Sequence, residues 1–125
     1  MLKTIFVVGA GSFLGGVARY LTAKLVQNSV VSTFPFGTLV VNLLGCLLIG
    51  LIFGFTERNN LINDEWRLFL TVGFCGGFTT FSAFANENVI LLRDGNFYSF
   101  ALYTGLSVFL GIVAVFLGNA LTKLF

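Results

Sequence analysis

One stretch of this sequence sets polar side chains, glycines and aromatic rings close enough together to do chemistry: Gly73-Phe74-Cys75-Gly76-Gly77-Phe78-Thr79-Thr80-Phe81-Ser82-Ala83-Phe84-Ala85-Asn86-Glu87. The Gly-Gly pair lowers the cost of leaving helical backbone. Thr79, Thr80 and Ser82 bring hydroxyls that bond to backbone or to a small polar guest. A phenyl ring is negative on its face and positive at its edge, so the edges of Phe81 and Phe84, one helical turn apart, can meet a small anion. Asn42 and Ser82 would then supply hydrogen bonds. The stretch lies inside a hydrophobic segment, and in hydrocarbon a broken helix persists only where protein buries it or where it lines a cavity. We read it as a site, with the helix running to about Phe74, breaking near Cys75–Thr80 and restarting through Phe81–Leu92. Carbonyls released at such a break coordinate a cation, and the amides of the restarting half face an anion. The competing reading is a glycine hinge that only bends the helix, and it leaves the hydroxyls without a purpose.

Other chemistry is thinly supplied. The chain contains no histidine, which removes Ser-His, Cys-His and His-metal arrangements together. Cys46 and Cys75 form no CxxC pair and read as small buried residues. Glu87 is the one acid at membrane depth, so a cation pore ringed by carboxylates is poorly supported. The net charge of +2 carries no basic run, so nucleic acid is not an expected partner. The first hydrophobic segment runs too far for a signal-peptide core. Gly9-Ala10-Gly11-Ser12-Phe13-Leu14-Gly15 faintly imitates a dinucleotide fingerprint, but its third glycine is late and no acid follows at the required distance.

The elements that must position the site follow from composition. Of the 125 residues, 57% are hydrophobic and 10% charged, against about 25% charged in soluble domains. This is an integral membrane protein of one domain. A helix needs about 20 residues to cross the hydrocarbon core, and four segments qualify: residues 4–26, 37–55, 66–92 and 97–121. The first carries GxxxG spacing from Gly11 to Gly15, which permits close helix contact. It also holds Arg19, either an arginine snorkelling to the interface or a cation near the mouth of an anion path. Thr38, Asn42 and Gly45 share one face of the second span; Asn42 is either interhelical glue or a pore contact. In the loop before the third span, Asn63 or Asp64 could cap the next helix, and Trp66 fits an interfacial anchor. Tyr103, Ser107, Gly111, Ala114 and Gly118 make one stripe on the last span, a polar track or a packing seam. Lys3, Arg58, Arg67 and Lys123 fall on one side and Lys24 and Arg93 on the other, a weak bias that admits either orientation. So short a chain has little room to enclose a pathway alone, which favours a homodimer.

The stretch from Gly73 to Phe84, with Gly37-Thr38-Leu39-Val40-Val41-Asn42-Leu43-Leu44-Gly45 and Gly15-Gly16-Val17-Ala18-Arg19-Tyr20 ahead of it, resembles the small bacterial fluoride channels of the Fluc or CrcB family. The resemblance spans the whole chain. It implies an all-α membrane protein of four helices, the third broken, paired as an antiparallel dual-topology homodimer in the bacterial plasma (inner) membrane. It also implies a passive fluoride-selective channel, not an enzyme, that exports cytoplasmic fluoride and confers resistance to it. Hydrogen fluoride enters neutral and dissociates inside, and a leak driven by the negative interior removes the trapped ion. The family's fluoride pathway maps onto Phe81, Phe84, Asn42, Ser82, Tyr103 and Ser107, with Arg19 at the vestibule. A structural sodium ion (Na+) maps onto the backbone carbonyls of Gly76 and Thr79. Gly111 departs from members that carry a hydroxyl there, and Phe78 stands where leucine is common. The alternative is a small dimeric proton-coupled multidrug exporter, which would be expected to place an acid in its first span, where this chain has none. A non-transporting membrane subunit would explain GxxxG but not Thr79-Thr80-Phe81-Ser82.

Overall fold

The computed structural model describes residues 1–59 and 62–124, so Asn60 and Leu61, in the connection read from sequence as solvated surface, lie outside the described residues. Among the described residues, four helices are long and apolar enough to cross a membrane. The first two are α1 (Leu2–Asn28) and α2 (Phe36–Asn59). The third span is built in pieces: α3 (Asp64–Leu68), a π-helical stretch Phe69–Cys75, the single turn α4 (Gly76–Phe78), and α5 (Phe81–Arg93). The fourth is α6 (Phe97–Leu121), followed by a short 3-10 turn. Phe6, Phe13, Phe109 and Phe116 are each about two-thirds or more exposed. Acyl chains accept such exposed rings as readily as a protein core would.

Backbone contact organises the packing. α1 lies against the third span, where a Cβ at Gly11 would stand 2.9 Å from the Cα of Gly73, and one at Gly77 would stand 2.6 Å from the carbonyl oxygen of Ser12. A Cβ at Gly15 would run into the carbonyl of Phe74. The GxxxG spacing therefore serves the seam between α1 and the third span. Gly15→Ala overpacks this seam and is expected to cost about 1–3 kcal/mol. A lowered thermal unfolding midpoint in detergent checks it, and an unchanged midpoint would mean the two backbones can part at no cost. α2 lies against α6 in the same manner: Gly50 approaches the Val115 carbonyl and Gly118 the Leu47 carbonyl. The lower part of the Tyr103–Gly118 stripe is thus a packing seam.

The glycine pair does not mark the break. Gly76 is helical (φ −62°, ψ −38°), whereas Thr79 (φ −90°, ψ 159°) and Thr80 (φ −152°, ψ 120°) are extended. The expected interruption near Cys75–Thr80 shrinks to two residues at its end. Gly77 is used instead for the approach to Ser12 of α1. The two adjacent threonines, β-branched and happier in extended backbone, carry the interruption. At the helix entrances, Asn63 accepts a hydrogen bond from the Trp66 N–H at 2.9 Å, and Lys3 pairs with Glu65 at 2.8 Å on the exposed surface. At the opposite end Gln27 fixes the connection of residues 29–35. Its Nε2 donates to the carbonyls of Ser32 and Phe34, and its Oε1 accepts from the Gly37 N–H.

Candidate functional site

In an unbroken helix the Thr80 N–H would donate to the Gly76 carbonyl. Here it donates to Asn42 Oδ1 at 2.9 Å, and Asn42 Nδ2 donates back to the Thr80 carbonyl at 3.1 Å. The amide of α2 thus satisfies both backbone groups of one extended residue, as a neighbouring strand would. The Thr80 hydroxyl then accepts from the Ala83 N–H at 3.2 Å and starts α5 as an N-cap. On the other side of the break, Arg19 Nε donates to the Gly77 carbonyl at 3.1 Å. A guanidinium at this point complements the negative end of the preceding helical segment. The Thr79 N–H and hydroxyl both turn back to the Cys75 carbonyl. The Gly76 carbonyl has lost its usual helical donor, and the Thr79 carbonyl sits in extended backbone outside any helix.

Beside the break opens a cavity of about 360 Å³. Asn42, Thr79, Thr80, Phe81, Phe84 and Ser107 line it, with Gly45, Cys46, Ile49, Val108 and Val115 completing the wall. The Phe81 and Phe84 rings lie 5.7 Å apart and tilted at 48°. Ser107 Oγ is buried and has no hydrogen-bond partner among the described residues. A buried hydroxyl without a partner is costly, so its presence on a cavity wall points to a polar guest. No carboxylate, lysine or arginine is among the lining residues. The cavity offers an amide and hydroxyls beside two phenyl rings and no charged side chain, a wall that suits a small desolvated anion.

The remaining candidate residues, Ser82, Tyr103, Gly76 and Arg19, are not among the residues that line this cavity. Ser82 is exposed, with its hydroxyl 3.3 Å from that of Thr80. Tyr103 is fully buried, its ring 5.0 Å from that of Phe84, and its O–H donates to Glu87 Oε1 at 2.8 Å. Thr38 donates to the other oxygen, Oε2, at 2.9 Å. Glu87 also borders a second pocket of about 220 Å³, with Gln27, Thr33 and Pro35. Neither Gly76, which is exposed, nor Arg19 belongs to the lining of the larger cavity.

Sequence reasoning did not foresee the meeting of Glu87 with Thr38 and Tyr103, nor the contact of Arg19 with Gly77. The first had a partial signal, since Thr38 shares a face with Asn42 and both turn toward the third span. The second had none, because nothing local to α1 says which carbonyl a guanidinium will find. Among the described residues no group of three or more His, Cys, Asp or Glu side chains could hold a metal. The oxygens at the break are neutral carbonyl, hydroxyl and amide groups.

Residues 6–119 match the family described as CrcB-like protein, Camphor Resistance (CrcB). The chain is 48% identical over 122 residues to a protein of Flavobacterium psychrophilum named fluoride-specific ion channel FluC, with 98% of each chain covered. A protein of the same name from Azobacteroides pseudotrichonymphae is 43% identical over 125 residues, covering the full length of both. Another, from Chlorobium chlorochromatii, is 50% identical over 114 residues, which is 91% of this chain and 88% of that one.

Proposed function

The chain belongs to the CrcB family, and we propose that it is a fluoride-selective channel whose ion passes through the cavity beside the helix break. The observation that carries this reading is the cavity wall: two tilted phenyl rings, an amide and an unpartnered serine hydroxyl, with no charged side chain among them. Such a surface replaces the hydration of a small anion with hydrogen bonds and positive ring edges. The relatives' name, fluoride-specific ion channel, supports fluoride as the ion. The protein is then a channel and not an enzyme. Because hydrogen fluoride enters neutral and dissociates inside, a passive path in the bacterial inner membrane exports fluoride down the electrical gradient and gives resistance.

We read the working unit as an antiparallel homodimer with dual topology. Phe81 is 79% exposed although it borders the cavity, so the single chain leaves its own site half open and a second copy would close it. The bias of four basic residues on one side against two on the other is weak enough to admit insertion in both orientations. A structural sodium ion fits the carbonyls of Gly76 and Thr79, one deprived of its helical donor and the other extended. Because those ligands are backbone atoms, Thr79→Ala should retain sodium, read as sodium-dependent thermal stabilisation of the purified protein. Loss of that stabilisation would assign the ion to other ligands.

The test of function is release of fluoride from vesicles containing only this protein, with valinomycin and potassium balancing charge and chloride release followed in parallel. Fast fluoride release with negligible chloride release is expected, and folded protein that releases no fluoride overturns the reading. The proton-coupled exporter draws on one observation, the single part-buried carboxylate of Glu87. Glu87→Gln separates the two readings. A glutamine still accepts a bond from Tyr103 or Thr38, so passive fluoride release should persist, whereas a coupled exporter would lose transport altogether.

A further inference from the structure

Gln27 stands in the last turn of α1 and spends its amide on the connection that follows. Its Nε2 donates to the carbonyls of Ser32 and Phe34, at 3.3 and 3.2 Å, and its Oε1 accepts from the Gly37 N–H at 3.0 Å. The Phe34 N–H in turn donates to the Ser32 hydroxyl at 3.1 Å. Backbone groups of a connection, and the first N–H groups of a helix, need partners from outside the helical ladder, and one side chain here serves three of them. Gln27 also borders the second pocket, with Thr33, Pro35 and Glu87. Its donors are already engaged on backbone, so its part is to hold the chain and not to bind a guest.

What it holds reaches the cavity. The Phe34 ring is buried and stands 5.5 Å from the Tyr103 ring at 75°, in an edge-to-face arrangement. Tyr103 lies 5.0 Å from Phe84, and Phe84 lines the cavity. Phe34, Leu39, Leu91 and Tyr103 form one buried cluster, against which Phe84 packs. The Tyr103 hydroxyl is tied to Glu87 at 2.8 Å, but that oxygen lies on the axis about which the ring turns. The bond therefore fixes the end of the side chain and leaves the tilt of the ring to its neighbours. Packed side chains pass on small displacements, having no void to absorb them. We infer that Gln27 is a positioning residue for conduction: by seating Phe34 against Tyr103 it keeps the Phe84 ring in place on the cavity wall. This rests on the fluoride-channel reading.

The experiment is fluoride release from vesicles for the wild-type protein, for Gln27→Met, Phe34→Leu and Phe84→Ile, and for the double variant carrying Gln27→Met and Phe84→Ile. Rates are normalised to folded protein, with melting midpoints measured on the same preparations. Gln27→Met keeps the length of the side chain and removes all three bonds. It should slow release about two- to tenfold, the range spanned by one aromatic ring contact. Phe34→Leu leaves the bonds of Gln27 in place, removes the ring and should slow release by a similar factor. In the double variant the midpoint should fall further while the rate stays where Phe84→Ile alone puts it, because two residues acting through one ring do not add. A wild-type rate in Gln27→Met overturns the inference. So does a double variant whose rate loss is the product of the two single losses, since a general loosening would give that result. If Gln27→Met does not fold, Phe34→Leu decides: wild-type release from it would leave no ring contact for Gln27 to maintain. Failure of the wild-type protein to release fluoride would instead strike the channel reading itself.

Discussion

Asn42→Asp is expected to stop fluoride release while the protein remains folded and monodisperse. The substituted oxygen can still accept the Thr80 N–H, but the donor that meets the Thr80 carbonyl is lost, and a carboxylate would then face a carbonyl across the break. More importantly, a negative charge would appear on the wall of a cavity that otherwise has none. Two like charges about 4 Å apart repel by about 4 kcal/mol at an effective dielectric of about 20, which corresponds to a rate loss of about a thousandfold. Asn42→Leu is the control, since it opens the break without adding charge and should reduce both stability and flux by smaller amounts. Vesicle efflux decides the matter: Asn42→Asp conducting like the wild type would remove this amide from the path.

Phe84→Ile carries the second large effect. The Phe84 ring sits between Phe81 and Tyr103, at 5.7 and 5.0 Å. It lines the cavity and also packs on the buried tyrosine. Isoleucine fills similar space but has no ring edge, so fluoride release should fall by about tenfold or more, as one favourable ion contact disappears. The lost ring pairing with Tyr103 should cost a further amount in stability, about 0.5–1.5 kcal/mol. Phe81→Ile differs in a useful way. Its ring is largely exposed on the single chain, so it should impair release with little change in melting. Full flux in both variants would show that the rings only shape the cavity.

Much of this architecture is legible in the residues, and the parts that are not have a common cause. The four spans follow from long apolar runs. The GxxxG at Gly11 and Gly15 is the mark of a close seam, and its partner proved to be Gly73 and Phe74. Asn42 was conspicuous as one amide in an apolar segment, and Thr80 as a hydroxyl ahead of a helical run. The glycine pair misled, because glycine permits two different things: a departure from the helix and a close approach of another backbone. Sequence lists the permission, and only the neighbour, Ser12, shows that Gly77 uses the second. Glu87 illustrates the same limit. Its bonds to Thr38 and Tyr103 cross 49 and 16 residues of chain, and no local pattern fixes which hydroxyls two separate helices will bring to one carboxylate.

The two glycine seams have a thermal consequence. Their contacts are peptide against peptide, Gly11 on Gly73 and Gly50 on Val115, formed between helices already surrounded by acyl chains. Parting such helices within the bilayer exposes apolar groups to lipid, not to water, so there is no expulsion of water to weaken as temperature falls. Dispersion between close-packed backbones persists in the cold. The seams should therefore impart little heat-capacity change to helix separation, and the frame that holds the break should be as firm near freezing as at room temperature.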